Sequence, residues 1–183
     1  MSDPAAIADS KREIPAPIPL YWDDLTLGCS YSTPSRTITE ADVVAFAALT
    51  GDFNRVHVDA EYAKSTPFGQ RIAHGLLVAA ISVGLNTRSF GNQQMESALM
   101  ALLETKIKFP MPTFLGDTIA VSVEVIGRKE TSRADRGITV FRRTTSNQRG
   151  EIVVESDVTM MIRRRPEAVG ASSLTAKQQG RQT

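Results

Sequence analysis

The stretch Ile72-Ala73-His74-Gly75-Leu76-Leu77-Val78-Ala79-Ala80-Ile81-Ser82-Val83-Gly84-Leu85 decides the fold. Apolar residues occupy nearly every side of a helix drawn through it. The pattern predicts a helix from Ile72 to about Ser89 that is buried on most sides. Downstream the period changes to two. Leu99 to Phe109, Asp117 to Arg128, Gly137 to Asn147 and Glu151 to Ile162 alternate and are rich in β-branched residues, as strands are. Ile119, Val121, Val123 and Val125 fall on one face, with Ser122 and Glu124 on the other. Ile152, Val154, Val158, Met160 and Ile162 are expected to share a face in the same way. Gln148-Arg149-Gly150 reads as a turn between the last two strands. Pro110-Met111-Pro112 and Gly116-Asp117 interrupt the earlier pair.

Upstream, Ser30 to Thr37 reads as one short strand. Thr39-Glu40-Ala41-Asp42 resembles a capping box, with an acid three residues after a threonine. Val43, Val44, Phe46, Ala47 and Leu49 follow at helical spacing, and Gly51 closes that helix. Asp59 to Lys64 is expected to add a turn or two. The order is strand, helices, long buried helix, then four strands. That is an α+β protein, a curved antiparallel sheet wrapped around a long central helix.

The 183 residues suffice for one domain with a real core. Residues 1–19, with Pro4, Pro15, Pro17 and Pro19, read as a flexible arm. Residues 20–165 read as the folded domain, and 166–183 as a polar, disordered tail. Lys plus Arg number 21 and Asp plus Glu 20, a balance that argues against a nucleic-acid or membrane-surface binder. Cys29 is the sole cysteine, so neither an intrachain disulfide nor a thiolate metal cluster is expected. Met1-Ser2-Asp3-Pro4 lacks the basic and apolar start of a secretory signal. The longest apolar run is too short for a bilayer. A cytoplasmic location is expected.

The chemistry concentrates in Phe46-Ala47-Ala48-Leu49-Thr50-Gly51-Asp52-Phe53-Asn54-Arg55-Val56-His57. Asp52 and His57 stand five positions apart, where a helical pattern ends. Such a pair holds a water and exchanges its protons. The plain alternative is a helix cap beside a surface imidazole. His74, the second of two histidines, opens the long helix. It reads first as a structural, partly buried residue fixing the helix start. Gly75 follows, and its backbone N–H at a helix N-terminus suits a developing negative charge. Close packing is the competing reason for a glycine there. Two histidines without a carboxylate cluster make no metal site, and none is expected. Arg163-Arg164-Arg165 reads as a solvated strand end.

These residues carry a resemblance to the MaoC-like dehydratase family of (R)-specific enoyl-CoA hydratases, the hydratase 2 type, which have a hot-dog fold. Phe46, Leu49, Thr50, Gly51, Asp52, Asn54, Val56, His57 and Ala63 stand in register with the family motif. Arg55 replaces the usual proline, which loosens the loop. Ile72-Ala73-His74-Gly75 and Pro112-Thr113-Phe114-Leu115-Gly116-Asp117 match two later signatures, so the likeness covers about residues 20 to 164. It implies a hydro-lyase that reversibly hydrates trans-2-enoyl thioesters to (R)-3-hydroxyacyl thioesters, in fatty acid metabolism. Asp52 and His57 are the implied catalytic pair. Asn54 shapes the loop or orients His57, and Gly75 positions the thioester oxygen. His74 and Ser82 are candidates for lining the site. Ser82 lies about one position from the serine of many such hydratases, and one position is about 100° of helix rotation.

No cofactor is expected beyond the coenzyme A or acyl-carrier-protein thioester that is the substrate. A homodimer or higher homo-oligomer is expected, since one strand set cannot wrap the helix and also cover its own edges. No nucleic-acid or membrane partner is expected. Two other functions fit a hot-dog chain, an acyl-CoA thioesterase and a non-catalytic acyl-thioester binder. The absence of Asp and Glu from residues 72–95 counts against the first. The intact Asp52 and His57 count against the second.

Overall fold

The structure is a computed structural model and describes residues 16–166. Of the arm expected over 1–19 and the tail expected over 166–183, residues 1–15 and 167–183 lie outside the described residues. The elements run β1 (Ser30–Ser32), β2 (Arg36–Thr37), α1 (Glu40–Thr50), α2 (Arg55–Val58), α3 (Ala60–Lys64), α4 (Gly75–Thr87), α5 (Phe90–Met95), β3 (Leu99–Lys108), β4 (Thr118–Glu130), β5 (Arg136–Ser146) and β6 (Ile152–Arg163). The six strands form an antiparallel sheet ordered β1-β4-β5-β6-β3, with β2 also paired to β4. Helix α4 packs against its inner face. This is the expected α+β architecture.

Alternation drives the sheet. Ile119, Val121, Val123 and Val125 of β4 are all buried, and Ser122 and Glu124 are exposed. Strand β6 departs from the expected single face. Thr145 pairs with Val154 but Ser146 pairs with Ile152, so Val153 is an extra residue in the ladder. This bulge buries Val153 and Val154 together and leaves Ile152 39% exposed. The expected Ser30–Thr37 strand is two short ones, broken around Thr33-Pro34-Ser35.

Helix α1 forms where its capping box predicts. The Thr39 N–H donates to Asp42 Oδ2 at 2.8 Å, and the Asp42 N–H donates back to Thr39 Oγ1 at 3.3 Å. Gly51 ends it at φ 78°, a left-handed conformation that glycine adopts without strain.

Helix α4 starts three residues later than its apolar pattern suggests. Ile72 bridges Phe114, the Ala73 N–H donates to the Thr113 carbonyl at 2.8 Å, and His74 is extended. As expected, α4 is covered on most sides, but one narrow stripe is open. Leu77, Val78, Ile81 and Leu85 are buried, whereas Leu76 is 61% and Val83 49% exposed. Ala80 and Thr87 complete this open stripe. It lies on the side of strand β3, whose outer edge has no partner strand among the described residues.

Helix α5 has no apolar period to announce it. Ser89 caps it, accepting from the Asn92 N–H at 3.3 Å. Gly91 lets it lie on Tyr31, whose ring would stand 2.6 Å from any Cβ there. The Leu20 N–H donates to the Gln94 carbonyl at 2.8 Å, tying the start of the domain to this helix.

The basic run at the end of β6 is not simply solvated. Arg164 pairs with Asp23 at 2.8 Å and Arg165 with Asp24 at 2.8 Å. Trp22 lies between the guanidinium groups of Arg128 at 4.1 Å and Arg164 at 4.9 Å. Its Nε1–H donates to the Ile138 carbonyl at 3.0 Å, and only a glycine at 137 leaves room for the ring.

Candidate active site

Three backbone events bring the site together. The left-handed turn at Gly51 stops α1 and points the chain at the N-terminus of α4. The Asn54 side chain then accepts from the Val56 N–H at 3.3 Å and caps the short helix α2, which carries His57. Arg55, where proline is usual in the resembling proteins, does not leave this segment loose. Its Nε and Nη2 donate to Asp59 Oδ2 at 3.1 and 2.9 Å, and its guanidinium lies 4.3 Å over the Tyr62 ring. Finally, the extended residues before α4 present the Ile72 carbonyl to His57.

That carbonyl settles a protonation question. His57 Nδ1 lies 2.9 Å from it. A carbonyl only accepts, so Nδ1 carries the hydrogen and the neutral ring keeps its free lone pair on Nε2. His74 is held the other way round. Its Nε2 donates to the Asp52 carbonyl at 2.9 Å. Its Nδ1 is buried without a hydrogen-bond partner. His74 is 3% exposed, so the expected structural histidine is satisfied at one nitrogen only. The two imidazoles stack with centroids 3.8 Å apart and planes 29° off parallel. Phe46 packs against His74 with ring centroids 5.1 Å apart and planes tilted by 52°.

Asp52, His57, His74 and Gly75 line one cavity of about 480 Å³, together with Phe109 and Val153. Gly75 is the first residue of α4, so its N–H has no intrahelical acceptor. A Cβ at this position would lie 2.9 Å from the Phe109 ring. Glycine is required here for close packing as well as for backbone access.

The structure does not bring every candidate residue to this cavity. Asn54 acts on the backbone of α2 and is not in the wall. Ser82 lines a separate groove on α4. Its Oγ donates to the Val78 carbonyl at 2.7 Å and accepts from Thr145 Oγ1 at 3.0 Å. Phe109 and Val153 enter the wall without having been foreseen. Val153 does so through the β6 bulge, which has no signature in the sequence of its own strand.

One side-chain donor atom from each of Asp52, His57 and His74 lies within 4.8 Å of the others, a spacing that meets the needs of a metal ion. Two of the ring nitrogens are engaged by main-chain carbonyls, which leaves one nitrogen of each histidine and the Asp52 carboxylate for other partners. Groups of this kind can also hold and exchange protons.

Comparison with known proteins places the chain in a family. The profile of the family described as MaoC like domain matches residues 25–147. An (R)-specific enoyl-CoA hydratase of Rhodospirillum rubrum is 36% identical over 143 residues, 78% of this chain and 91% of the relative. The X-ray structure of a monoamine oxidase regulatory protein from Archaeoglobus fulgius superposes with a TM-score of 0.78 at 36% identity, covering 84% of this chain and all of that one. A Mycobacterium tuberculosis protein described as a double hotdog fold gives a TM-score of 0.68 at 23% identity, over 83% of this chain and 46% of that one. That last likeness speaks for fold alone. The matched residues 25–147 run from before the first strand to the end of β5 and include Asp52, His57, His74 and Gly75, and the chain belongs to the MaoC-like domain family.

Proposed function

We propose that this protein is a hydro-lyase, reversibly adding water to trans-2-enoyl thioesters to give (R)-3-hydroxyacyl thioesters. The observation that carries the reading is the fixed tautomer of His57. Its Nε2 lone pair is free, and His57, Asp52 and Gly75 line one cavity, with a donor atom of Asp52 and one of His57 within 4.8 Å of each other. A water held between His57 and Asp52 loses a proton to Nε2 as its oxygen bonds to C3 of the alkene. The π electrons move through C2 onto the thioester oxygen, where the Gly75 N–H and the α4 dipole stabilise the negative charge. Collapse of that enolate takes a proton at C2 from the acid–base pair. One water has been added and the enzyme is unchanged.

Both new bonds form on the face of the alkene turned to Asp52 and His57, so addition is syn. With the thioester oxygen pinned, the acyl chain cannot present its other face. The name of the 36% identical relative specifies (R) products, and the same series is expected here. Coenzyme A and acyl carrier protein are the two carriers this reading admits. A homodimer joined along the free edge of β3 completes the proposal, because that edge and the apolar stripe of α4 are both open in the single chain.

The test mixes the protein with crotonyl-CoA while following absorbance of the enoyl-thioester band and free thiol together. Loss of absorbance without thiol is expected. Thiol release would instead identify a thioesterase, and neither signal across a panel of enoyl-CoA esters would leave an acyl-thioester binder. The product should be oxidised by an (R)-specific 3-hydroxyacyl dehydrogenase and ignored by an (S)-specific one. Mainly (S) product would overturn the roles given to Asp52, His57 and Gly75.

A further inference from the structure

A second groove of about 480 Å³ runs between α4 and the inner face of the sheet, and Leu76 lines both it and the catalytic cavity. Most of its wall is apolar, with Val83, Val158 and Met160 among the contributors. One residue does not belong in such a wall. Arg143 of β5 lines the groove and is only 8% exposed. Its Nε has no hydrogen-bond partner.

The polar residues around Arg143 satisfy one another and leave it out. The Tyr31 hydroxyl donates to Asn86 Oδ1 at 2.7 Å, and Asn86 Nδ2 donates to Asn92 Oδ1 at 3.0 Å. Burial pushes the Tyr31 phenol up to about 12, so it stays protonated and offers no negative charge. Burial also draws the Arg143 guanidinium below its usual value, but arginine remains charged in proteins. No carboxylate among the described residues pairs with it. Glu96 lines the groove from an exposed position and forms no ion pair with Arg143. A buried cation without a counter-charge is costly to keep.

We infer that Arg143 binds the distal carboxylate of the acyl chain, so that the preferred substrates are medium-chain enoyl thioesters ending in a carboxyl group. This deepens the hydratase reading and rests on it. An acyl chain held at the Gly75 N–H passes Leu76 and follows α4 along the groove. From Gly75 to Asn86 the helix advances eleven residues, about 16 Å at about 1.5 Å per residue. A short acyl group ends well before the arginine. A medium one places its last carbon among the apolar wall residues and its carboxylate against the guanidinium. Charge complementarity selects a carboxylate over a methyl group at that end, since the methyl leaves the cation buried and unpaired.

The experiment compares kcat/KM for trans-2-decenedioyl-CoA and trans-2-decenoyl-CoA, in wild type and in Arg143→Met. Wild type should favour the dicarboxylic ester by at least ~10-fold, and Arg143→Met should bring the ratio to one or below, following the strength of charge-assisted hydrogen bonds. A wild-type ratio near one overturns the proposal, whether or not the variant folds. If wild type hydrates neither ester nor crotonyl-CoA, the hydratase reading fails separately. Calorimetry with sebacate and decanoate then decides, sebacate binding at least ~10-fold more tightly if the proposal holds and equally if it does not. Sedimentation of both proteins covers the remaining case. Loss of a dimer in Arg143→Met with an unchanged substrate ratio would make Arg143 an interface residue and overturn the proposal.

Discussion

His57 and His74 show how much one main-chain carbonyl decides. The Ile72 carbonyl fixes the proton of His57, and the Asp52 carbonyl fixes that of His74. Asp52→Asn and His57→Ala should each lower turnover by at least about a hundredfold, the usual share of a positioned proton transfer. Circular dichroism and thermal melting should change little, because neither side chain is in the core. A near-normal rate in either variant would remove that residue from the mechanism. Gly75 makes a second prediction. An added Cβ lies 2.9 Å from the Phe109 ring. Gly75→Ala should therefore destabilise the protein by about 1–3 kcal/mol, as overpacking does. It should also lower kcat/KM on crotonyl-CoA, and Phe109→Leu in the same chain should restore part of both losses. The Asp52–His57 pair and Gly75 could be picked out of the sequence because they sit in a dense local motif. The stacking of the two imidazoles could not. It depends on α2 and the α4 entry meeting across sixteen intervening residues.

At the level of elements, the four long strands were legible to within a few residues because a period of two survives in β4 and β5. What escaped was set by partners distant in sequence. Helix α5 is fixed by Ser89 and by Gly91 lying on Tyr31. The Val153 bulge is a property of the β5–β6 register and cannot be read from β6 alone. The start of β4 depends on another such partner. Asp117 is 3% exposed. It accepts from Arg149 Nη1 at 2.9 Å, Gln148 Nε2 at 2.8 Å and the Phe114 N–H at 2.9 Å. Burial alone would raise its pKa, but these donors outweigh burial and hold the carboxyl below its ordinary value. A lowered folded pKa means the stabilisation is present above the unfolded carboxylate value, about 3.9, and is lost as pH falls below it through the folded value. Asp117→Asn should cost about 1–3 kcal/mol at pH 7. Urea melts of the two proteins should converge as pH is taken below about 3.9, and an equal gap at both pH values would contradict this account.

For the molecule as a whole, one group of open apolar residues lies along β3 and α4. Leu102 is 62% and Leu103 46% exposed on the edge strand β3, near the stripe formed by Leu76 and Val83 on α4. An unpaired apolar edge invites another strand. Sedimentation should find a dimer at micromolar concentration, and Leu102→Asp with Leu103→Lys should shift it towards monomer. A stable, fully active wild-type monomer would contradict the assembly. The described residues contain no helix long and apolar enough to cross a membrane. The opposite end of the molecule is closed by Trp22 between two arginines, and Trp22 is the sole tryptophan of the chain. Intrinsic fluorescence excited at the indole therefore comes from one known location, where the first turn of the domain meets the ends of β4 and β6. It is an optical gauge of whether that seam is shut. Because Trp22 is absent from the walls of both the Asp52–His57 cavity and the α4 groove, emission can follow unfolding while ligand is titrated into either.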